Sequence, residues 1–276
     1  MPELPEVETV VRLIRPQLVG RRIEGCEVLW KRTLGGMSLA SFERAVVGTR
    51  IVRVWRRAKF VVADLERHGK AAGSLVGHLR MTGRMHVEPA SVDVGPYRKV
   101  SLALDDGRSF HFIDVRKFGR LFHTEHVETV FEDLGPEPLD DGFTAEWLHD
   151  ALRTRRRALK PLLLDQSFVA GLGNIYVDES LFAAGLHPLA RSDRVGQTRA
   201  VRLHTIIRAT LSEAIAREGS SFDTFYRTPE GNPGSFQHQF RVYGRAGSPC
   251  VVCGAPIVRA VVGQRGTHFC RACQKR

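Results

Sequence analysis

The first helical pattern of the chain begins directly after its opening letters, MPELPE. Apolar residues then recur at helical spacing, at Val7, Val10, Val11 and Ile14. Pro5 suits the first turn of a helix, and Glu6 and Glu8 suit the positive end of the helix dipole. The pattern predicts an amphipathic helix close to the start of the chain.

From about residue 28 to residue 123 the pattern changes to short runs rich in Val, Phe and Leu. These runs are RIVRVWRRAKFVVADL, GSLVGHLRMTGRMHV, KVSLALDDGRSFHFIDV and GRLFHT, and Gly and Asp-Gly turns separate them. Such runs are typical of antiparallel strands joined by tight turns. They predict an antiparallel sandwich or barrel that carries the N-terminal helix.

Helical patterns return after DLGPEPLDDGF, a Pro/Gly/Asp stretch that we interpret as a domain linker. Three segments are helical in character: TAEWLHDALRTRRRALKPLLLDQ, NIYVDESLFAAGL and TRAVRLHTIIRATLSEAIARE. The third repeats apolar residues at helical spacing, at Leu203, Ile206, Ile207, Leu211 and Ile215. The chain as a whole is therefore predicted to be of the α+β class.

The last segment, CVVCGAPIVRAVVGQRGTHFCRAC, contains two CxxC pairs separated by sixteen residues. This spacing is typical of a four-cysteine zinc site, which predicts Cys250, Cys253, Cys270 and Cys273 as ligands of one Zn²⁺. Four thiolates leave no open coordination position, so the predicted metal is structural. Two β-like runs joined by GQRG lie between the pairs and predict a hairpin with Arg265 near its tip.

The charge of the chain is strongly positive, with 41 Lys and Arg residues against 30 Asp and Glu and a net charge of +11. Such an excess favours a polyanionic partner, most commonly nucleic acid, over an undistinguished basic surface. The run RTRRRALK concentrates this charge, at Arg153, Arg155, Arg156, Arg157 and Lys160. It precedes GLGNIY, where Asn174 either caps a helix or helps to seat a phosphate at the helix start.

Neither a membrane span nor a secretory leader is predicted. No stretch approaches the roughly 18 apolar residues that a span needs, and the first residues lack the basic-then-apolar pattern of a signal peptide. Cys26 stands apart from the paired cysteines, a usage that fits a reducing compartment better than a disulfide framework. We therefore expect a cytoplasmic protein.

The opening residues offer a nucleophile as well as a helix start. Proline after Met1 normally permits removal of the initiator methionine, which leaves Pro2 as a secondary amine at the chain end. Such an amine can attack C1′ of a sugar and form a cationic iminium, which makes the neighbouring C–H acidic and permits β-elimination of a phosphate. Its pKa lies near neutrality, at about 7.7–8.0 for α-amino groups in general. Glu3 and Glu6 would manage the protons.

The motifs together resemble the bacterial formamidopyrimidine-DNA glycosylases, bifunctional enzymes that remove 8-oxoguanine and ring-opened purines. The resemblance rests on PELPEVETV, RRAKF, HLRMTG, DVRKFGR, LGPEPL, LLLDQSFVAGLGNIYVDESLF and GQRGTHFCRACQ. It implies an N-terminal β-sandwich, a helix–two-turn–helix domain and a C-terminal zinc finger. It also implies duplex DNA with oxidised purines or abasic sites as the partner, a monomer, and use at the nucleoid.

The resemblance also implies roles for individual residues. Pro2 would form the Schiff base, assisted by Glu3 and Glu6, while Lys59 would act in catalysis and hold phosphate. The phosphate clamps would be His78, Asn174 and Arg265, with Arg265 also acting in the second elimination. The residues that enter the base stack would be Met81, Arg116 and Phe118, and further backbone contacts would come from Lys117, Arg155 and Lys160. Without the resemblance, Lys59 reads as a solvent-facing strand lysine, and Met81 and Phe118 as strand core.

Four parts follow from this comparison: a catalytic sandwich (1–134), the helix–two-turn–helix domain (135–225), a mobile connector (226–244) and the finger (245–276). Within the family, PELPE and the long segment 219–236 favour enzymes for purine lesions, in which a mobile loop closes over 8-oxoguanine. Two alternatives stay open. One is an endonuclease VIII-like enzyme for oxidised pyrimidines, and the other is a zinc-finger DNA-binding protein without catalysis.

Overall fold

A computed structural model of the chain describes residues 1–221 and 226–276. Strands dominate the first half, whose elements are α1 (Leu4–Leu18), β1 (Ile23–Val28), α2 (Leu39–Val46), β2 (Arg50–Arg57), β3 (Phe60–Arg67), β4 (Lys70–His78), β5 (Gly83–Pro89), β6 (Arg98–Leu104), β7 (Arg108–Asp114), β8 (Arg120–Thr124) and α3 (Val127–Phe131). Helices dominate the second half, with α4 (Ala145–Thr154), α5 (Leu159–Leu163), α6 (Asn174–Ala184), α7 (Gln197–Ala216) and the final strands β9 (Val258–Val262) and β10 (Arg265–Phe269). Among the described residues, no helix is long and apolar enough to cross a membrane.

The strands of the first half form the predicted antiparallel sandwich. One sheet has the order β1-β6-β7-β5 and the other β2-β3-β4-β8. Apolar residues of both sheets form one core, among them Val54, Leu75, Leu102 and Phe112. Helix α1 contributes its predicted apolar face to that core, since Val7, Val10, Val11 and Ile14 are all buried.

The chain divides into two compact units, and each unit is built from two separate stretches of the sequence. The N-terminal unit comprises residues 1–132 and 218–235, and the C-terminal unit comprises 133–217 and 236–276. Tyr226 is buried in the core of the N-terminal unit, although about one hundred residues separate it from the last strand of the sandwich, which ends at Thr124. The predicted connector 226–244 is thus shared between the units, and the proposed four-part division stays a prediction. Part of the predicted mobile loop, residues 222–225, lies outside the described residues.

The C-terminal unit contains the predicted helices and the predicted hairpin. Helix α6 ends at Gly185, whose φ of 71° is the left-handed conformation that closes helices. Strands β9 and β10 pair in register, with Val262 opposite Arg265. The two residues between them, Gly263 and Gln264, both have positive φ, of 57° and 62°. Two such residues make the tight turn whose twist matches a hairpin.

Candidate active site and metal centre

The residues that follow Met1 are buried and hydrogen-bonded, whereas Met1 itself is 43% exposed. Pro2 is buried, and Glu3 and Glu6 are each only 2% exposed. The Glu3 side chain accepts a hydrogen bond from the backbone of Glu6, while the Glu3 N–H donates to Glu6 Oε2 at 2.8 Å. This reciprocal capping box satisfies donors that a helix start otherwise leaves unpaired. It also holds two carboxylates within one turn of the predicted nucleophile.

The second oxygen of Glu6 binds a segment more than 200 residues further along the chain. Ser220 donates to Glu6 Oε1 from its backbone N–H at 2.7 Å and from its hydroxyl at 3.2 Å. A Cβ on Gly219 would lie 2.7 Å from the same oxygen, and Gly219 has a φ of +76°. Only glycine fits both requirements at that position. Glu6 thus connects the N-terminal helix to the start of the segment predicted to close over the lesion. No local sequence pattern predicts this contact.

Lys59 lies in the two-residue turn that joins β2 to β3. Arg57 pairs with Phe60 across this turn, and Ala58 has a φ of 50°. Lys59 is 6% exposed, so it is not the solvent-facing strand lysine of the simpler interpretation. No residue pattern indicated a turn here, because Ala-Lys lacks the Gly or Asn that commonly marks one.

The turn is joined to helix α1 through an arginine. Arg56 donates to Glu8 Oε2 at 2.9 Å and to the carbonyl of Ala58 at 3.2 Å. Burial alone would raise the pKa of Glu8, but hydrogen bonds from Arg12 and Arg56 hold it below its usual value. Glu8 is therefore ionised at neutral pH and fixes the turn that carries Lys59.

His78 lies next to Lys59, because it pairs with Phe60 across β3 and β4. Burial, together with the charges of Arg80 and Lys59, lowers the pKa of His78 to about 3. Its Nδ1 accepts the backbone N–H of Arg80 at 3.0 Å. The neutral ring therefore carries its proton on Nε2, where it can donate to a phosphate oxygen.

Replacing His78 with Gln is expected to make the free energy of unfolding depend less on pH in the acid range. The unfolded chain takes up a proton on this histidine below its ordinary pKa of 6.5, whereas the folded chain does so only near 3. The contribution of neutral His78 to the free energy of unfolding is therefore fully present above pH 6.5 and is lost as the pH falls below that value. Between about pH 6 and 4 the free energy of unfolding should fall less steeply in His78→Gln, by up to about 1.4 kcal/mol per pH unit.

Urea unfolding at several pH values measures this difference. His126→Gln is the matched control, because the His126 side chain is 72% exposed. An identical slope in the wild type and His78→Gln would mean that His78 does not stay neutral in the folded protein.

Met81, Arg116 and Phe118 lie on two loops that one buried carboxylate joins. Asp114, 1% exposed, accepts the hydroxyl of Thr82 and, at 2.7 Å, the N–H of Gly119. The N–H of Arg116 donates to the Thr82 hydroxyl at 3.0 Å. Thr82 and Asp114 were missed by the sequence analysis, although they lie inside the quoted motifs HLRMTG and DVRKFGR.

These loops present apolar side chains to solvent. Met81 is 37% exposed and Phe118 is 49% exposed, so neither is the strand core of the simpler interpretation. The guanidinium of Arg116 lies 5.1 Å from the centre of the Phe118 ring, and Lys117 Nζ lies 4.3 Å from the ring of Trp30. Exposed apolar wedges flanked by cations suit insertion into a DNA stack.

The predicted DNA contacts of the C-terminal unit differ in exposure. Arg155 ends helix α4 and is exposed, as are Arg153, Arg156 and Arg157. Asn174 is the first residue of α6, and Gly173 rather than Asn174 occupies the N-cap position. Its Nδ2 donates to the carbonyl of Gly266 at 2.9 Å, while its buried Oδ1 has no hydrogen-bond partner among the described residues.

The prediction that Lys160 contacts the DNA backbone needs correction. Lys160 is fully buried, and its Nζ lies 2.6 Å from Oδ1 of the equally buried Asp178. An ammonium group in that position cannot reach a phosphate, because burying a charge requires a partner and here the partner is a carboxylate. The run RTRRRALK suggested one continuous basic surface, but its last cation, Lys160, points into the core while the arginines are exposed.

The four paired cysteines converge on one point. Cys250 Sγ lies 3.8 Å from Cys273 Sγ, Cys253 Sγ lies 3.5 Å from Cys270 Sγ, and all four sulfurs lie within 4.8 Å of one another. Zn–S bonds of about 2.3 Å give a tetrahedron with edges of about 3.8 Å, whereas a disulfide requires about 2.05 Å. The donor set and spacing therefore fit one tetrahedral zinc ion that stabilises the hairpin.

Arg265 follows the tight turn of the β9–β10 hairpin and is exposed. The turn packs against helix α5, since a Cβ on Gly263 would lie 3.1 Å from Cγ of Pro161. The neighbouring carbonyl, of Gly266, accepts from Lys160 Nζ at 3.0 Å. The predicted phosphate clamp thus lies on a short, firmly held hairpin.

Three family models match the chain in succession. The formamidopyrimidine-DNA glycosylase N-terminal domain covers residues 1–121, the H2TH domain of that enzyme covers 134–226, and a zinc finger found in FPG and IleRS covers 247–276. The chain belongs to the formamidopyrimidine-DNA glycosylase family. The resemblance noted from the motifs, the fold class and the single structural zinc are all confirmed.

Relatives within the formamidopyrimidine-DNA glycosylase family match over their whole length. A protein of that name from Chloroflexus aggregans is 45% identical over 278 residues, which cover 99% of this chain and 98% of the relative. A Lactococcus lactis FPG variant solved with Fapy-dG DNA has a TM-score of 0.91 at 34% identity, with 100% of both chains covered. The L. lactis Fpg solved with abasic-site DNA has a TM-score of 0.90 at 33% identity, covering 99% and 100%.

Proposed function

We propose that the protein is a bifunctional DNA glycosylase and abasic-site lyase that excises oxidised purines, 8-oxoguanine and formamidopyrimidines, from duplex DNA. The observation that carries this proposal is the burial of Pro2 together with Glu3 and Glu6, directly after the exposed Met1. The first residues of a chain are normally frayed, so a buried residue 2 beside two buried carboxylates suits a nucleophile that the removal of Met1 would release. The protein would act as a monomer in base excision repair on the chromosome, and hence in the cytoplasm at the nucleoid.

The proposed reaction begins once Met1 has been removed. The nitrogen of Pro2 bonds to C1′ of a flipped nucleotide and loses its proton, the bond from C1′ to the damaged base breaks, and the base leaves with a proton in exchange. The bond between C1′ and O4′ then breaks, O4′ takes a proton from Glu3, and a cationic iminium remains. Lys59 and Glu6 support this step, Lys59 as a cation on the turn that Arg56 joins to helix α1 and Glu6 by fixing Glu3.

Two eliminations would follow on the iminium. Loss of a proton from C2′ expels the 3′-phosphate, and loss of a proton from C4′ then expels the 5′-phosphate, with Arg265 assisting the second step. Water hydrolyses the iminium, which releases the sugar fragment and restores the amine of Pro2. The DNA is left with a one-nucleotide gap that has a phosphate at both ends.

Borohydride trapping on duplex DNA containing 8-oxoguanine opposite cytosine tests the proposal. Borohydride reduces an iminium to a stable amine, so a covalent complex should form, and mass spectrometry should locate it on Pro2 with Met1 absent. No adduct on this duplex or on abasic DNA, from folded and zinc-loaded protein, would reject the enzyme and leave a DNA-binding protein. Efficient cutting at thymine glycol without cutting at 8-oxoguanine would instead support the endonuclease VIII-like alternative.

Replacing Arg265 with Gln is expected to weaken binding to abasic-site DNA about tenfold, the value of one charge-assisted hydrogen bond. It should also reduce the δ-elimination product relative to the β-elimination product. Arg259→Gln is the matched control, because Arg259 is an exposed arginine of the same hairpin, on β9 opposite His268. Equal losses in both variants, or a loss of zinc in Arg265→Gln, would remove the specific role of Arg265.

A further inference from the structure

A fully buried ion pair lies directly beneath the hairpin that carries Arg265. Lys160 comes from helix α5 and Asp178 from helix α6; both are 0% exposed, and Nζ lies 2.6 Å from Oδ1. Buried charges are expensive to remove from water, and such a pair is retained only where further hydrogen bonds complete it. The partners in those hydrogen bonds identify the segment whose position the pair fixes.

Both members of the pair bind the backbone of β10. Lys160 Nζ donates to the carbonyl of Gly266 at 3.0 Å, and Asp178 Oδ2 accepts the N–H of His268 at 2.8 Å. The same Gly266 carbonyl accepts from Asn174 Nδ2 at 2.9 Å. Three side chains from α5 and α6 therefore fix the strand at two points, on either side of Thr267.

The adjoining residue on this strand is Arg265. Its backbone is constrained on one side by the tight turn at Gly263 and Gln264 and on the other by the bonded Gly266 carbonyl. A flexible arginine can clamp a phosphate oxygen productively only when its Cα is held within a fraction of an ångström. The pair fixes that Cα without contacting DNA, since neither side chain reaches solvent.

We propose that Asp178 and Lys160 are positioning residues for the second elimination, which act by aiming Arg265. This inference rests on the proposed function, and specifically on a role for Arg265 after the Schiff base has formed. In this role Lys160 acts from the protein interior, without the DNA contact that its burial rules out. Asp178 carries the larger share, because it neutralises Lys160 and also binds β10 itself.

The next residue of α6 provides a comparison within the same helix. Glu179 is also buried, and its carboxylate accepts the backbone N–H groups of residues 241–243 at 2.8 to 3.0 Å. It therefore holds the segment that leads into the finger, whereas Asp178 holds the strand that bears Arg265. Asp178 thus binds the backbone of β10 directly, whereas Glu179 binds the backbone of Tyr243, whose ring lies 5.1 Å from the ring of His268 on β10.

The test is the product ratio on abasic duplex DNA for Asp178→Asn, with Glu179→Gln as the comparison. Asp178→Asn should lower the ratio of δ- to β-elimination product about tenfold, while zinc content and borohydride trapping at saturating protein concentration stay at wild-type values. Glu179→Gln should lower thermal stability with the product ratio unchanged. If Asp178→Asn does not fold, Lys160→Met/Asp178→Asn removes both charges and avoids an uncompensated one; it should show the same altered ratio.

Two results would overturn the inference. An unchanged ratio in folded Asp178→Asn, or in the double variant, would mean that the pair only stabilises the unit. An equal fall in Glu179→Gln would mean that any loosening of the finger suffices. Loss of trapping in the wild type would contradict the proposed function itself, which distinguishes its failure from that of the inference.

Discussion

Replacing Pro2 with Leu is expected to reduce the borohydride-trapped complex on abasic duplex DNA by roughly a thousandfold or more. A large side chain at position 2 retains the initiator methionine, so the chain would begin with the primary amine of Met1, one residue further out. The nucleophile would then be displaced from the buried site that Glu3 and Glu6 maintain. Quantifying the trapped complex, with the intact mass of the protein, measures both changes.

Pro5→Ala is the matched control for Pro2→Leu. Pro5 is a buried proline in the first turn of the same helix, so alanine there affects the helix start but leaves the proposed nucleophile in place. We expect full trapping with a small loss of stability. Undiminished trapping in Pro2→Leu, with Met1 shown to be present, would assign the covalent step to another amine, and Lys59 would be the first to examine.

Replacing Cys270 with Ser is expected to abolish zinc binding and with it the fold of the finger. Cys270 is fully buried, and zinc supplies about 10–16 kcal/mol of folding free energy in comparable finger peptides. Without the hairpin, Arg265 loses its position, and DNA affinity should fall about 100-fold, the value of one or two charge-assisted hydrogen bonds. Metal analysis and binding to abasic-site DNA at fixed salt concentration measure the two effects.

Cys26→Ser is the matched control for the zinc experiment. Cys26 lies on β1 of the sandwich, and burial, with Glu43 and Glu27 nearby, raises its pKa to about 11. It is therefore a neutral thiol outside the metal centre, and its replacement should change neither zinc content nor DNA affinity. Full affinity in zinc-free Cys270→Ser would mean that the finger does not take part in binding.

The elements that the sequence predicted well are those whose pattern is local. The apolar face of α1, the hairpin strands and the four-cysteine cluster each follow from periodicity or spacing within about 25 residues. The β2–β3 turn was not foreseen, because Ala58 adopts a positive φ without a turn-forming residue to mark it. Chemistry that depends on residue type alone, as at the cysteines, was therefore easier to foresee than geometry.

The contacts that escaped prediction join distant parts of the chain. Glu6 binds Ser220, and Lys160 pairs with Asp178, whose second oxygen binds His268. Nothing near Lys160 distinguishes a buried lysine from the exposed arginines beside it, since its partner is on another helix. Family resemblance identified candidate residues but not whether each reaches solvent, so the roles of the site residues stay proposals for the experiments above.

The return of residues 218–235 to the N-terminal unit has a consequence for synthesis on the ribosome. Tyr226 fills the sandwich core, and Ser220 completes the hydrogen bonding of Glu6, yet both are translated after helices α4 to α7. The core of the sandwich and the hydrogen bonding of Glu6 are therefore incomplete when the last strand of the sandwich has been made. A nascent chain would thus acquire its complete N-terminal site late, after helices α4 to α7 have been synthesised.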